Sequence, residues 1–187
     1  QHPRLGFYGV IDERFDIDLI KQAADAKPDW QFVLVGPIIK IDPATLPQNK
    51  NIHYLGAKTY EELPAYLSGW DIALIPFALN ESTQFISPTK TPEYLAGGKP
   101  VISTAITDVV DPYFELGLVH IVHNAEDLVK IATLELSMTD KREWLSKVDE
   151  YLSNISWDAT WERMDELVQT EIDMNQHFLT NKINQYV

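Results

Sequence analysis

Short apolar runs alternate with amphipathic stretches along most of the chain. The runs at residues 5–10, 31–36 (QFVLVG), 52–55, 71–76 (DIALIP), 100–103 and 118–122 have the length and composition of buried strands. Between them the apolar period changes to that of a helix. Residues 15–27 put Ile17, Ile20, Ala23 and Ala24 on one side. Thr59-Tyr60-Glu61-Glu62 has the form of a capping box and predicts a helix running to about residue 68. Helices also start at Asn124-Ala125-Glu126-Asp127 and at Asp140-Lys141-Arg142-Glu143. From Trp157 a long final helical pattern carries the stripe Trp161, Met164, Leu167, Val168 and Ile172, a pattern expected of core packing. Residues 37–51 are Pro-rich and irregular, and no repeat or low-complexity tract interrupts the series.

Alternating strands and helices with wholly apolar strands predict an α/β fold: a doubly wound, Rossmann-like parallel sheet of about six strands, helices on both faces, and a long C-terminal helix. In such folds ligands sit at the carboxyl ends of the strands. Here those ends are the loops after Val10, Gly36, Leu55, Pro76 and Ser103. The stretch SPTKTPEYLAGGKPVIST (87–104) follows the long polar loop that leaves the fourth strand, so it lies on the ligand side. Its helix opens with Thr89, Lys90 and Thr91, and Gly97-Gly98 close it as a C-cap and turn. A lysine there runs against the helix dipole, which favours negative charge at an N-terminus. Backbone N–H groups, the hydroxyls of Thr89 and Thr91, and the Lys90 ammonium converge as a phosphate would require. The ordinary alternative is a surface lysine on a capped helix, and the local pattern leaves both open.

Composition narrows the partners. The 187 residues carry a formal charge of -13, which argues against a nucleic-acid polymer but not against a small phosphorylated ligand. There is no cysteine, so disulfides, thiolate metal sites and cysteine nucleophiles are excluded. No apolar run approaches the ~18 residues of a membrane span. With no signal-like segment at its start, the chain is expected to be a piece of a longer cytoplasmic protein.

The remaining candidates have equally plain readings beside the functional ones. Glu93 near the helix start compensates the dipole; its functional version is a carboxylate accepting from a sugar's vicinal hydroxyls. Gly9 ends the first strand and Arg14 follows it. An arginine there reaches toward a diphosphate, although pairing with Asp12, Glu13 or Asp16 is the better reading from the residues alone. His120 and His123 are three apart in a strand and point to opposite faces; with His53 they form no metal set. Ser87 has no histidine near it in sequence for a hydrolase triad. Neither GxGxxG nor GxxxxGK[ST] occurs.

Taken in order, LGFYGVIDERFDIDLI, WQFVLVGP, NIHYLGAKTYEELPAYLSGWDIALIPF and SPTKTPEYLAGGKPVIST resemble the C-terminal, donor-binding domain of GT-B glycosyltransferases of the family 4 type. The likeness covers about residues 4–165, and P-x-K-x-x-E-Y-L-A-x-G-K-P-V is its most specific piece. It implies a Rossmann-like donor domain over 1–165 and a helical extension over 166–187. A nucleotide diphosphate sugar, with UDP as the expected nucleotide, is the implied ligand. The acceptor site and most catalytic groups belong to an N-terminal domain absent from this chain. By the same resemblance Glu93 is the second glutamate of E-x7-E and holds the ribose hydroxyls. Lys90 faces the diphosphate with Arg14, beside Gly9, Ser87, Thr89 and Thr91. The loop with Ala57 and Lys58 lies beside the base. No metal or other cofactor is expected, and no nucleic acid or transmembrane segment. Location is expected to be cytoplasmic, with the membrane surface as the alternative for the full-length enzyme.

Two positions depart from that pattern. Phe85 stands where the first glutamate of E-x7-E falls, and Val10 where an arginine follows the first-strand glycine. Glu81 and the amides near Ile86-Ser87 remain as replacements for the first, and Arg14 with Lys90 for the second. The expectation is the donor half of a retaining glycosyltransferase acting on a glycan, lipid or small acceptor. The alternatives are a non-catalytic nucleotide-sugar binding module and a sugar-nucleotide epimerase of the same architecture. A receiver-like signalling domain is weaker still.

Overall fold

The computed structural model describes residues 2–83 and 85–184. Six parallel strands, β1 (Arg4–Tyr8), β2 (Gln31–Val35), β3 (Ile52–Tyr54), β4 (Ile72–Ile75), β5 (Val101–Thr104) and β6 (His120–Val122), form one sheet. Their order is β3-β2-β1-β4-β5-β6, the doubly wound arrangement the sequence pattern predicts. The order reverses between β1 and β4. With right-handed crossovers, helices before and after that point cover opposite faces. β4 and β5 are buried along their whole length, as a sheet covered on both sides requires.

Helix α1 (Ile17–Ala26) starts where Asp16 accepts a hydrogen bond from the Leu19 amide at 2.9 Å, and it buries Leu19, Ile20, Ala23 and Ala24. The capping box of Thr59 and Glu62 is formed; a 3-10 turn, Tyr60–Glu62, leads into α2 (Leu63–Ser68). α3 (Lys90–Ala96) joins β4 to β5. α4 (Thr107–Val109) and a wide turn over Val110–Phe114 were not legible as elements; the extended backbone of Asp111 and the following Pro112 break any helical period there. α5 (Ala125–Ser137), capped by Asn124, packs against α1. α6 (Arg142–Ser153) follows.

Glu135 of α5 ties three segments together. Its carboxylate takes His120 of β6 at 2.7 Å and Lys141 ahead of α6 at 2.9 Å. His120 and His53, which bonds Gln31 at 2.7 Å, have the structural roles expected of them.

Two compact units are present, Gln1–Val148 and Asp149–Val187. The first contains the sheet and ends short of the residue-165 boundary drawn from the family pattern. Val148 is the last buried residue among those described, so the core closes there. In the second unit α7 (Trp157–Asn184) forms as one helix; residues 185–187 of the expected extension lie outside the described residues. The stripe of Trp161, Met164, Leu167, Val168 and Ile172 is exposed rather than core, because a single helix offers no facing apolar layer. Among the described residues, no helix is long and apolar enough to cross a membrane.

Candidate functional site

The carboxyl ends of β1, β2 and β3 are drawn together by backbone hydrogen bonds. The Gly9 amide donates to the Val35 carbonyl and the Gly36 amide to the Gly56 carbonyl, both at 2.9 Å. A Cβ on Gly36 would lie 1.8 Å from the Gly9 carbonyl oxygen, and its φ of 148° is one that L-residues rarely adopt. Gly9 has a φ of 145°, and a Cβ there would lie 2.5 Å from Cε of Lys90. Gly9 therefore opens the space in which the α3 lysine lies across the end of β1, and Gly36 lets the backbone of Gly9 approach it closely.

Lys90 is half-buried. Its Nζ sits 6.0 Å from the centroid of the Phe7 ring and 5.8 Å from that of Phe77. None of the ion pairs among the described residues includes it. Burial pushes its pKa below that of an ordinary lysine; Glu93 opposes this, Arg14 adds to it, and Asp12 opposes it. It is a partly desolvated cation beside two aromatic rings, with Glu93 and Asp12 near it but in no ion pair with it.

Arg14 is placed beside the exit of β4, since the Ala78 amide donates to the Arg14 carbonyl at 2.7 Å. Its guanidinium is committed to the buried Asp12, with Nη2 to Oδ2 at 2.6 Å and Nε to Oδ1 at 3.0 Å. This is one of the pairings expected from the residues alone. Burial raises the Asp12 pKa, but the hydrogen bonds from Arg14 outweigh it and hold the carboxyl below the usual range.

Glu93, one turn along α3 from Lys90, is half-buried and accepts a hydrogen bond from the Tyr8 hydroxyl at 2.5 Å. Thr89 and Ser87 are exposed ahead of the helix. Thr91 is not exposed beside them. Its side chain is fully buried and its Oγ1 has no hydrogen-bond partner in the structure, so the expected second hydroxyl is turned into the interior. Ala57 and Lys58 are exposed in the loop after β3, where the Lys58 ammonium lies 5.7 Å from the Tyr66 ring centroid.

The structure thus brings Gly9, Lys90, Glu93 and Arg14 around the ends of β1 and β4. It adds residues that sequence reasoning passed over. Tyr94 bonds the Tyr8 backbone, and the Tyr8 hydroxyl in turn bonds Glu93; the available signal was a tyrosine directly before the first-strand glycine. Leu79, Asn80 and Thr83, after β4, face Ala105, Ile106 and Thr107, after β5, across an open cleft of about 270 Å³ at the same edge of the sheet.

Residues 2–136 match the family described as glycosyl transferases group 1, well over half of the chain. The chain belongs to that family. It is 37% identical over 103 residues to TuaH of Bacillus subtilis (strain 168), a glycosyltransferase assigned to teichuronic acid biosynthesis. That alignment covers 54% of this group 1 chain and 26% of TuaH. Among solved structures, sucrose-phosphate synthase from Thermosynechococcus elongatus superposes with a TM-score of 0.67 at 18% identity, covering 93% of this chain and 46% of that one. Anabaena HepE, solved in complex with UDP and glucose, gives 0.59 at 14% identity, covering 82% and 49%. At these identities the structural likenesses establish the fold alone. The group 1 chain spans about a quarter of the curated relative and about half of the solved proteins.

Proposed function

We propose that this chain is the donor-binding half of a retaining glycosyltransferase that takes its sugar from a nucleotide diphosphate sugar, with UDP as the nucleotide. The observation that carries the reading is Lys90: a half-buried ammonium over Gly9, at the ligand edge of the sheet, without a carboxylate partner among the described residues. A half-buried cation whose desolvation is only partly offset by Glu93 and Asp12 is costly, and an anionic ligand in contact with it removes that cost. In this reading Lys90 meets the diphosphate and stabilises the charge that develops on it as the sugar leaves. Arg14, half-buried and held by Asp12, adds a second positive group. Glu93 accepts from the ribose hydroxyls, and the loop of Ala57 and Lys58 lies beside the base. HepE, solved with UDP and glucose, supports this choice of ligand. The protein's own cations neutralise the diphosphate, so UDP binding is expected to be unchanged by EDTA.

The acceptor, whether glycan, lipid or small molecule, and the groups that act on it belong in this proposal to an N-terminal domain beyond this chain, which part of α7 crosses to meet. Titration of the 187-residue chain tests the reading: UDP binds weakly and uridine more weakly, with no sugar transfer. Equal affinity for UDP and uridine would remove the diphosphate from the site.

A non-catalytic nucleotide-sugar binding module is the second reading. Phe85, 86% exposed where the family pattern puts a glutamate, favours it. Transfer activity of the longer protein, lost on Lys90→Ala, would decide for the enzyme.

A further inference from the structure

We infer that Tyr8 is the positioning residue that makes this site selective for a ribonucleoside over its deoxy counterpart, by fixing the Glu93 carboxylate through a hydrogen bond. The inference rests on the reading of Glu93 as the ribose acceptor.

Tyr8 is the last residue of β1 and is almost wholly buried. Its ring meets Tyr94 edge-on at 4.7 Å and Trp70 at 5.9 Å between centroids. The Tyr8 amide donates to the Tyr94 hydroxyl at 3.0 Å, and that hydroxyl donates back to the Tyr8 carbonyl at 3.4 Å. Ring and backbone are therefore held by the same α3 residue, the neighbour of Glu93. From this fixed frame the Tyr8 hydroxyl donates to Oε2 of Glu93 at 2.5 Å. Burial, then the Glu93 hydrogen bond, raise the Tyr8 pKa, so the hydroxyl stays a donor at any working pH.

A free glutamate on a helix samples many rotamers, and a ligand must order them. Here that ordering is done before the ligand arrives. A carboxylate offers about four lone-pair sites. Tyr8 takes one on Oε2, and Oε1 accepts from no described residue. Three remain, one on Oε2 and two on Oε1, so each oxygen can still accept from one of two hydroxyls on adjacent carbons. A 2′-deoxyribose supplies only one of them.

The test measures the affinities of UDP and 2′-deoxy-UDP for the 187-residue chain and its variants, with thermal melting to confirm folding. The wild type should prefer UDP. Tyr8→Phe should shrink that preference about fivefold, a net hydrogen bond's worth, while leaving 2′-deoxy-UDP within about twofold. A folded Tyr8→Phe variant with an unchanged preference, or with both nucleotides weakened in equal proportion, overturns the inference. Glu93→Ala separates the two levels. If it leaves the preference intact, the ribose role of Glu93 fails. If it abolishes the preference and Tyr8→Phe does not reduce it, only the role of Tyr8 fails. The wild type gives a further measurement that needs no variant. The Tyr8 hydroxyl proton should exchange slowly and stay protected with UDP bound; its loss on UDP binding means the nucleotide displaces Tyr8, which also overturns the inference.

Discussion

Replacing Lys90 by methionine should weaken UDP binding and at the same time make the chain more stable. The two effects come from one feature. The ammonium lies between Phe7 and Phe77, its stem on Gly9, with no ion pair to offset its burial. If it meets the diphosphate, its removal costs a hydrogen bond between charged groups, about 1.5–3 kcal/mol. That is roughly a 10- to 150-fold loss of UDP affinity. Uridine, which has no phosphate, should change less than about twofold. Methionine has a similar length and no charge, and its sulfur gains about 0.3–1.5 kcal/mol against an aromatic ring. The burial penalty of the ammonium is lost as well, which is expected to outweigh its attraction to the two ring faces, about 0.5–2 kcal/mol. A net gain near ~1 kcal/mol raises Tm by about 2–4 °C in a chain of this size. Calorimetric titration with UDP and uridine, and differential scanning calorimetry without ligand, read both quantities. A Tm that falls by several degrees with UDP affinity unchanged would show that Lys90 is a structural residue, and the diphosphate reading would go with it. Uridine weakened as much as UDP would refute the assignment of Lys90 to the phosphates alone.

Gly36→Ala should cost more than about 2 kcal/mol, through strain at positive φ and a Cβ placed 1.8 Å from the Gly9 carbonyl; denaturant unfolding measures it. Glu135→Gln should destabilise the chain by about 2–3 kcal/mol at neutral pH, since it weakens the acceptor of both His120 and Lys141. The His120 hydrogen bond, with Lys141, holds the Glu135 pKa at about 2, below its usual 4.5. Its contribution is therefore complete above the higher value and is lost as pH falls through the lower one. Melting curves of wild type and variant should converge over that window; a difference that stays constant down to pH 2 contradicts the linkage.

The sheet was legible because six apolar runs of strand length stood out from the amphipathic or polar stretches between them, and two of the helix starts had a chemical signal: Thr59 with Glu62, and Asn124. The wide turn at 110–114 had no such signal. The site was legible where a residue type was out of keeping with its local setting, as Lys90 is at a helix start. It was not legible where the setting itself is tertiary. Tyr8 meets Glu93 across 85 positions of sequence, and the inward turn of Thr91 depends on packing that no local pattern records. The α7 stripe shows the converse limit. Its period was read correctly as a helix, but period alone does not say that a facing layer exists to bury it.

The charges around the site also set a limit on what this chain can do alone. Lys90 and Arg14 are its cations, but Arg14 is tied to Asp12, and Glu93 stands one turn from Lys90. The four groups cancel, and Glu13 is held by Lys40. The rest of the chain carries a large negative excess that repels a diphosphate. In the proposed reading UDP gains from one well-placed ammonium and from directed hydrogen bonds, not from a positive field. Screening by added salt should then change its affinity little, because contact within a half-buried site is screened far less than attraction across solvent. A steep loss of UDP affinity between low and moderate salt would mean that long-range attraction dominates, and would point to exposed cations such as Lys58 in place of Lys90.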